Sequence, residues 1–185
     1  AVESVLRANQ ITRSAPYGPV YICLDAGLQE SPLEEEVSVP DPARFAPAPS
    51  PAAPHQSVLK ALKAIDKAKF PLILMGRVSR KQADWDRRVR FAEVIGAAVM
   101  TSSNDAASFP TTHPSHLAAP CLRPSKAATA LIEKADLIIS MDWLDLAGIF
   151  RLALGQAQTQ TPVEKTVIHC SVDSYRTNGW SMDHQ

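Results

Sequence analysis

Residues 71–102 read PLILMGRVSRKQADWDRRVRFAEVIGAAVMTS, and this stretch decides the fold class. Apolar residues fill Pro71 to Met75 without polar alternation, and Gly76 closes the run. A run of that length suits a strand covered on both faces. Ser79 and Gln82 stand three apart, like the two halves of a capping box, and predict a helix over 79–96. Trp85, Val89 and Ala92 share its inner face as core positions. Asp84–Arg88 and Asp86–Arg90 pair at i,i+4, and the RRVR charges form a solvated face. Gly96 stands at the helical stop, and residues 97–102 make a second apolar strand. Two buried strands joined through such a helix pair in parallel.

The same alternation continues outward. Ser125 caps a helix in KAATALIEKA, DLIISMD (136–142) is a strand, Asp145 caps DLAGIFRLAL, and KTVIHCSVD (165–173) is another strand. Upstream, SVLKALKAIDKAK is a helix with Ser57 as N-cap and Val58, Leu62 and Ile65 facing inward. The expected fold is α/β: a parallel, Rossmann-like sheet with helices on both faces.

The first 56 residues differ in character. Val2, Val5, Leu6 and Asn9 give a short amphipathic helix over 1–13, which Pro16, Gly18 and Pro19 break. VYICL (20–24) then reads as a strand buried on both sides. Residues 28–56 hold LEEE and six prolines between Pro40 and Pro54, a composition that cannot sustain helical or ladder hydrogen bonds. They read as an interdomain linker between residues 1–27 and a domain over 57–185. The chain begins without Met inside a helical pattern, so it reads as a piece of something longer.

Composition narrows the function classes. The 19 Lys+Arg residues match the 19 Asp+Glu residues, so no basic field exists to recruit nucleic acid or an acidic membrane. No basic-then-apolar leader and no long apolar run appear, which excludes a membrane span. Cys23, Cys121 and Cys170 are far apart and form no CxxC or Cys/His cluster, so structural zinc is not expected. Cys23 and Cys170 fall in expected strands as small buried groups, in keeping with a reducing cytoplasm.

Ligands of open parallel sheets bind beyond the carboxyl ends of the strands, near the switch in strand order. Those ends nominate Gly76, Arg77, Thr101, Ser102, Asp142 and Asp173 as a nucleotide cleft. Gly76 permits a tight turn or close backbone approach to a ligand, and Ser79 stands at a helix start whose free amides suit phosphate. Asp142 and Asp173 are of a kind to accept from a ribose, or equally to be solvated loop residues or helix caps. The GxGxxG fingerprint is absent, since GRVSR keeps only its first glycine, and this counts against a nicotinamide oxidoreductase. His113 and His116 have metal-compatible spacing but no partner ligands, and read as exposed loop histidines. No GxSxG elbow, P-loop or catalytic set assembles.

The order of the pieces carries a resemblance. GPVYICLDAG resembles the last strand of the pyrimidine-binding domain in thiamine diphosphate enzymes of the acetolactate synthase and benzaldehyde lyase type. FPLILMGRVSR, then WDRRVRFAEVIGAAVMTSSNDAASFPTTHPSH, KADLIISMDWLD and VIHCSVD resemble their central Rossmann-like domain. The resemblance implies that residues 1–27 end a pyrimidine-binding domain. It also implies that the chain stops before the last central strand and the pyrophosphate-binding domain. Thiamine diphosphate and Mg2+ then belong to the parent enzyme, which works on 2-oxo acids or 2-hydroxy ketones as a lyase, decarboxylase or carboligase. The neighbouring domains, in a homo-oligomer, are the implied partners. The family's activating glutamate and metal motif lie outside this sequence, so no residue here is catalytic and the piece alone neither binds thiamine diphosphate nor turns over substrate. Some family members hold FAD or ADP in the central domain. Asp142 stands where the family has a glycine, and Ala118 or Ala119 where another is frequent, and both count against a nucleotide. The expectation is a structural central domain, with an FAD- or ADP-binding module as the alternative.

Overall fold

The computed structural model describes residues 1–33, 35–155 and 165–173. It divides into two compact units, 1–52 and 53–185.

In the first unit, helix α1 (Val2–Thr12) is followed by a short helix α2 (Ala26–Glu30) and a 3-10 turn at Pro42–Phe45. Gln10 Nε2 donates to Ala46 O at 2.9 Å, and Ala48 N donates to Ser14 Oγ at 3.3 Å, tying the return segment to α1. The expected buried strand at 20–24 does not form. Val20, Ile22 and Leu24 are exposed, and Tyr21 is 89% exposed. A strand needs a neighbour for its N–H and C=O groups, and no described residue supplies one here. Cys23 is therefore exposed rather than buried.

Among the described residues the second unit is built on a four-stranded sheet of β1 (Pro71–Met75), β2 (Ala98–Thr101), β3 (Leu137–Met141) and β4 (Thr166–Cys170). Their order is β2-β1-β3-β4 and every pairing is parallel. Side chains alternate across the pleat, so one apolar strand feeds two cores. Leu72 and Leu74 pack with Ile132 of α5 (Lys126–Lys134) and Phe150 of α6 (Leu146–Leu154). Ile73 and Met75 pack with Ala92 of α4 (Gln82–Val94) and Ile65 of α3 (His55–Ile65). The parallel α/β sheet with both faces covered agrees with the sequence.

Several boundaries differ. Helix α3 starts at His55, because the Pro54 carbonyl accepts from Ser57 N and Val58 N, so Ser57 lies inside the helix and is not its cap. Ala64, Ile65 and Ala68 face the core, whereas Val58 (42%) and Leu62 (49%) are exposed. Helix α4 begins at Gln82, so no Ser79–Gln82 box forms; Ser79 Oγ instead accepts from Lys81 N at 3.3 Å. Asp84 pairs with Arg87 at 2.9 Å, one residue closer along the helix than the expected Asp84–Arg88 pair, and Asp86 accepts from Gln82. Arg88 leaves the solvated face altogether and donates from Nε to Ser108 O at 3.1 Å. Trp85 and Val89 are half-buried and Ala92 is fully buried. Ser125 and Asp145 cap α5 and α6 as expected, accepting from Ala128 N and Gly148 N. Gly96, at φ +63°, ends α4 in the left-handed region that glycine tolerates. Cys170, the last residue of β4, is exposed, contrary to the expected burial.

Candidate functional site

β1 is the strand at which the order turns back: the chain passes from β1 to β2 on one side, then returns to β3 on the other. Its carboxyl end, beside that of β3, is the crevice where an open parallel sheet holds ligands. Arg77, Asp142 and Asp173 meet there. Arg77 Nε lies 3.0 Å from Asp142 Oδ2, and its Nη2 donates to Asp142 Oδ1 at 3.2 Å and to Asp173 Oδ2 at 2.9 Å. The Nε contact is an ion pair without hydrogen-bond alignment. Ser171 Oγ donates to Asp142, and Asp173 N donates to Ser171 Oγ at 3.0 Å. Burial works against the Arg77 charge, but the Asp173 hydrogen bond and the Asp142 carboxylate outweigh it and hold its pKa above the ordinary value.

Gly76 is required by backbone rather than by a ligand. A Cβ there would overlap the Asp142 carbonyl oxygen and lie 2.7 Å from Trp143 Cα. Asp142 itself takes φ +56°, a conformation natural to the glycine that the family resemblance places at this position. The amides around the turn are already taken. Gly76 N donates to Met141 O, Arg77 N to Asp142 O, Val78 N to Gly76 O and Asp142 N to Cys170 O. The helix whose start was expected to offer amides beside Ser79 begins only at Gln82. Ala118 is buried in the core rather than open to a ligand, while Ala119 is exposed. A flavin or adenine diphosphate needs free amides and open backbone here, and the residues present do not fit it.

The strand end at Thr101 and Ser102 turns to other tasks. Thr101 Oγ1 pairs with His116 Nε2 at 2.9 Å, and Ser102 Oγ accepts from Asn104 N at 3.1 Å. Ser102 also hydrogen-bonds Asp105, whose pKa is raised first by burial; the charges of Arg77 and Arg80 oppose that rise and Asp142 adds to it. Asp105 thus feels the charges of the Arg77–Asp142 pair without a bond to either. Within the sequence it is one more polar loop residue, and nothing local marks it.

The two histidines expected to be exposed are both engaged. Ser115 N donates to His113 Nδ1 at 3.1 Å, which leaves the proton on Nε2 to face Glu93 Oε1 at 3.3 Å. The His113 ring also meets Phe109 edge-on at 5.2 Å. Burial lowers the His116 pKa. Together they lash residues 108–117 to α4 and β2: Val99 N donates to Ser115 O, Val99 bridges to His116, and Cys121 N donates to Thr101 O. Prolines and partners far along the chain hide this role from a sequence reading. No described residues form a His/Cys/Asp/Glu group able to hold a metal ion.

A hollow of about 390 Å3 lies at the opposite, amino end of the sheet, lined by Lys60, Lys63, Lys67, Asp136, Leu137 and Thr166. Being remote from the switch point, it is not the candidate crevice. No described helix is long and apolar enough to cross a membrane.

Comparison with known proteins converges on one family. The family model described as "Thiamine pyrophosphate enzyme, central domain" matches residues 58–178. The acetolactate synthase large subunit of Corynebacterium glutamicum is 24% identical over 160 residues, covering 84% of this chain and 24% of that protein. An X-ray structure of a candidate thiamin diphosphate-dependent enzyme from Mycobacterium smegmatis superimposes with a TM-score of 0.51 at 23% identity. That match covers 75% of this chain and 26% of the other, and it shows likeness of fold. The chain spans about a quarter of the length of these relatives.

Proposed function

Because this chain belongs to the thiamine pyrophosphate enzyme central-domain family, we propose that it is the scaffolding central domain of a thiamine diphosphate-dependent enzyme, with no catalytic step of its own. In this reading the parent protein cleaves or joins carbon–carbon bonds beside a carbonyl, on 2-oxo acids or 2-hydroxy ketones. Thiamine diphosphate and Mg2+ sit on its pyrimidine- and pyrophosphate-binding domains, and the cofactor supplies the carbanion chemistry. Residues 1–27 are the closing helix and strand of a pyrimidine-binding domain, 28–56 the tether, and 57–185 the central domain. The exposed apolar residues Val20, Tyr21, Ile22 and Leu24 favour that assignment, since they have the pattern of a strand that needs a sheet. The parent is a cytoplasmic homo-oligomer in this reading, and the three free thiols accord with a reducing compartment.

The observation that carries the scaffolding role is the crevice itself. In the crevice where open parallel sheets hold ligands, Arg77 is paired with Asp142 and Asp173 and the turn amides are bonded to carbonyls. That arrangement also weighs against the FAD- or ADP-binding module. Calorimetric titration of the chain with thiamine diphosphate and Mg2+ tests the reading, and no saturable heat is expected. Micromolar binding, or turnover of a 2-oxo acid by the chain alone, would overturn it.

A further inference from the structure

We propose that Asp142 and Asp173 are a built-in substitute for an anionic ligand: their carboxylates hold the place beside Arg77 that a diphosphate would take. This inference concerns the selectivity of the crevice and stands apart from whether the parent uses thiamine diphosphate.

Arg77 is the cationic side chain at the carboxyl end of β1, where the strand order turns. Its guanidinium receives oxygens from two separate carboxylates at 2.9–3.2 Å, much as a guanidinium receives two phosphate oxygens. Both carboxylates are pre-positioned. Asp142 N is fixed to Cys170 O at 2.8 Å, and the Ser171 hydroxyl donates to the Asp142 carboxylate while accepting the Asp173 backbone N–H at 3.0 Å. An incoming diphosphate must displace two carboxylates. Replacing Asp142 and Asp173 by asparagine removes both carboxylates paired with Arg77 and makes the crevice more positive by two charges. Asparagine also tolerates the positive φ of position 142.

Titration calorimetry with inorganic pyrophosphate, ADP and adenosine tests this on the 185-residue chain. The wild-type chain is expected to show no saturable binding of any of the three at millimolar ligand. D142N/D173N is expected to bind pyrophosphate and ADP with a gain of about tenfold or more, and to remain blind to adenosine. Adding R77M should abolish the gain. Wild-type binding equal to that of the variant would overturn the proposal. So would a folded double variant that gains nothing, a gain that survives R77M, or a comparable gain for adenosine. Should the double variant fail to fold, D173N alone carries the test with a smaller gain in pyrophosphate affinity, and a folded D173N without that gain counts against the proposal.

Discussion

The carboxylate of Asp136 accepts the backbone N–H of Phe70 at 2.9 Å, so the residue just before β3 holds the residue just before β1. It accepts the Lys69 N–H as well, at 2.7 Å. These amides, that of Lys69 foremost, lower the Asp136 pKa. Asp136→Ala is expected to destabilise the chain by about 1 kcal/mol, the lower part of the range for charged hydrogen bonds because the site is exposed. A lowered carboxylate pKa stabilises the fold above the unfolded value near 3.8 and loses that contribution as pH falls through the folded value. Urea midpoints of wild type and variant should therefore converge in acid. A gap that persists at low pH would refute the charge-dependent clip.

Gly76→Ala places a methyl group into the backbone of Asp142 and Trp143, neither of which can swing aside. A loss of about 3 kcal/mol or more is expected, as for overpacking against rigid neighbours. Thermal melting reads it directly, and a Tm within a degree or two of wild type would contradict the close approach.

Ser140 is fully buried in β3, where its hydroxyl accepts from Trp143 N at 3.2 Å and meets His169 Nδ1 at 2.8 Å. Ser140→Ala leaves the buried Trp143 amide without that partner, at a cost of about 1–3 kcal/mol. Denaturant unfolding measures the difference. An unchanged midpoint would show that another group satisfies the amide.

His116 links stability to pH in the opposite chemical sense to a paired histidine. Burial lowers its pKa from 6.5 in the fold, so the unfolded chain takes up its proton first as pH drops. The fold keeps its full stability above that value and weakens as pH falls from it toward the lowered folded one. His116→Gln should flatten this part of the pH–stability curve between neutral and mildly acid conditions. Equal slopes for both proteins would dismiss His116 as the source.

Periodicity alone exposed the sheet and its flanking helices, because Pro71–Met75, Ala98–Thr101 and Leu137–Met141 are so uniformly apolar that only burial on two faces accommodates them. The same signal misled at VYICL, where the pattern expresses a requirement for neighbouring strands that the described residues do not meet. The sequence marks the strand ends that carry Arg77, Asp142 and Asp173 as parts of one cleft, yet the ion pairs uniting Arg77 with partners 65 and 96 residues away are not legible in it. Such pairings depend on register, which a sequence window does not contain. The His113–Glu93 and His116–Thr101 contacts escaped notice for the same reason, spanning 20 and 15 residues across a proline-rich loop.

The lashing of residues 113–121 along β2 closes one margin of the sheet to newcomers. On that flank Val99 N and Thr101 O are already bonded to the chain's own loop, so a foreign strand finds that margin sealed. Recruitment of another β-segment, whether for assembly or for harmful polymerisation, is thereby barred from the β2 flank.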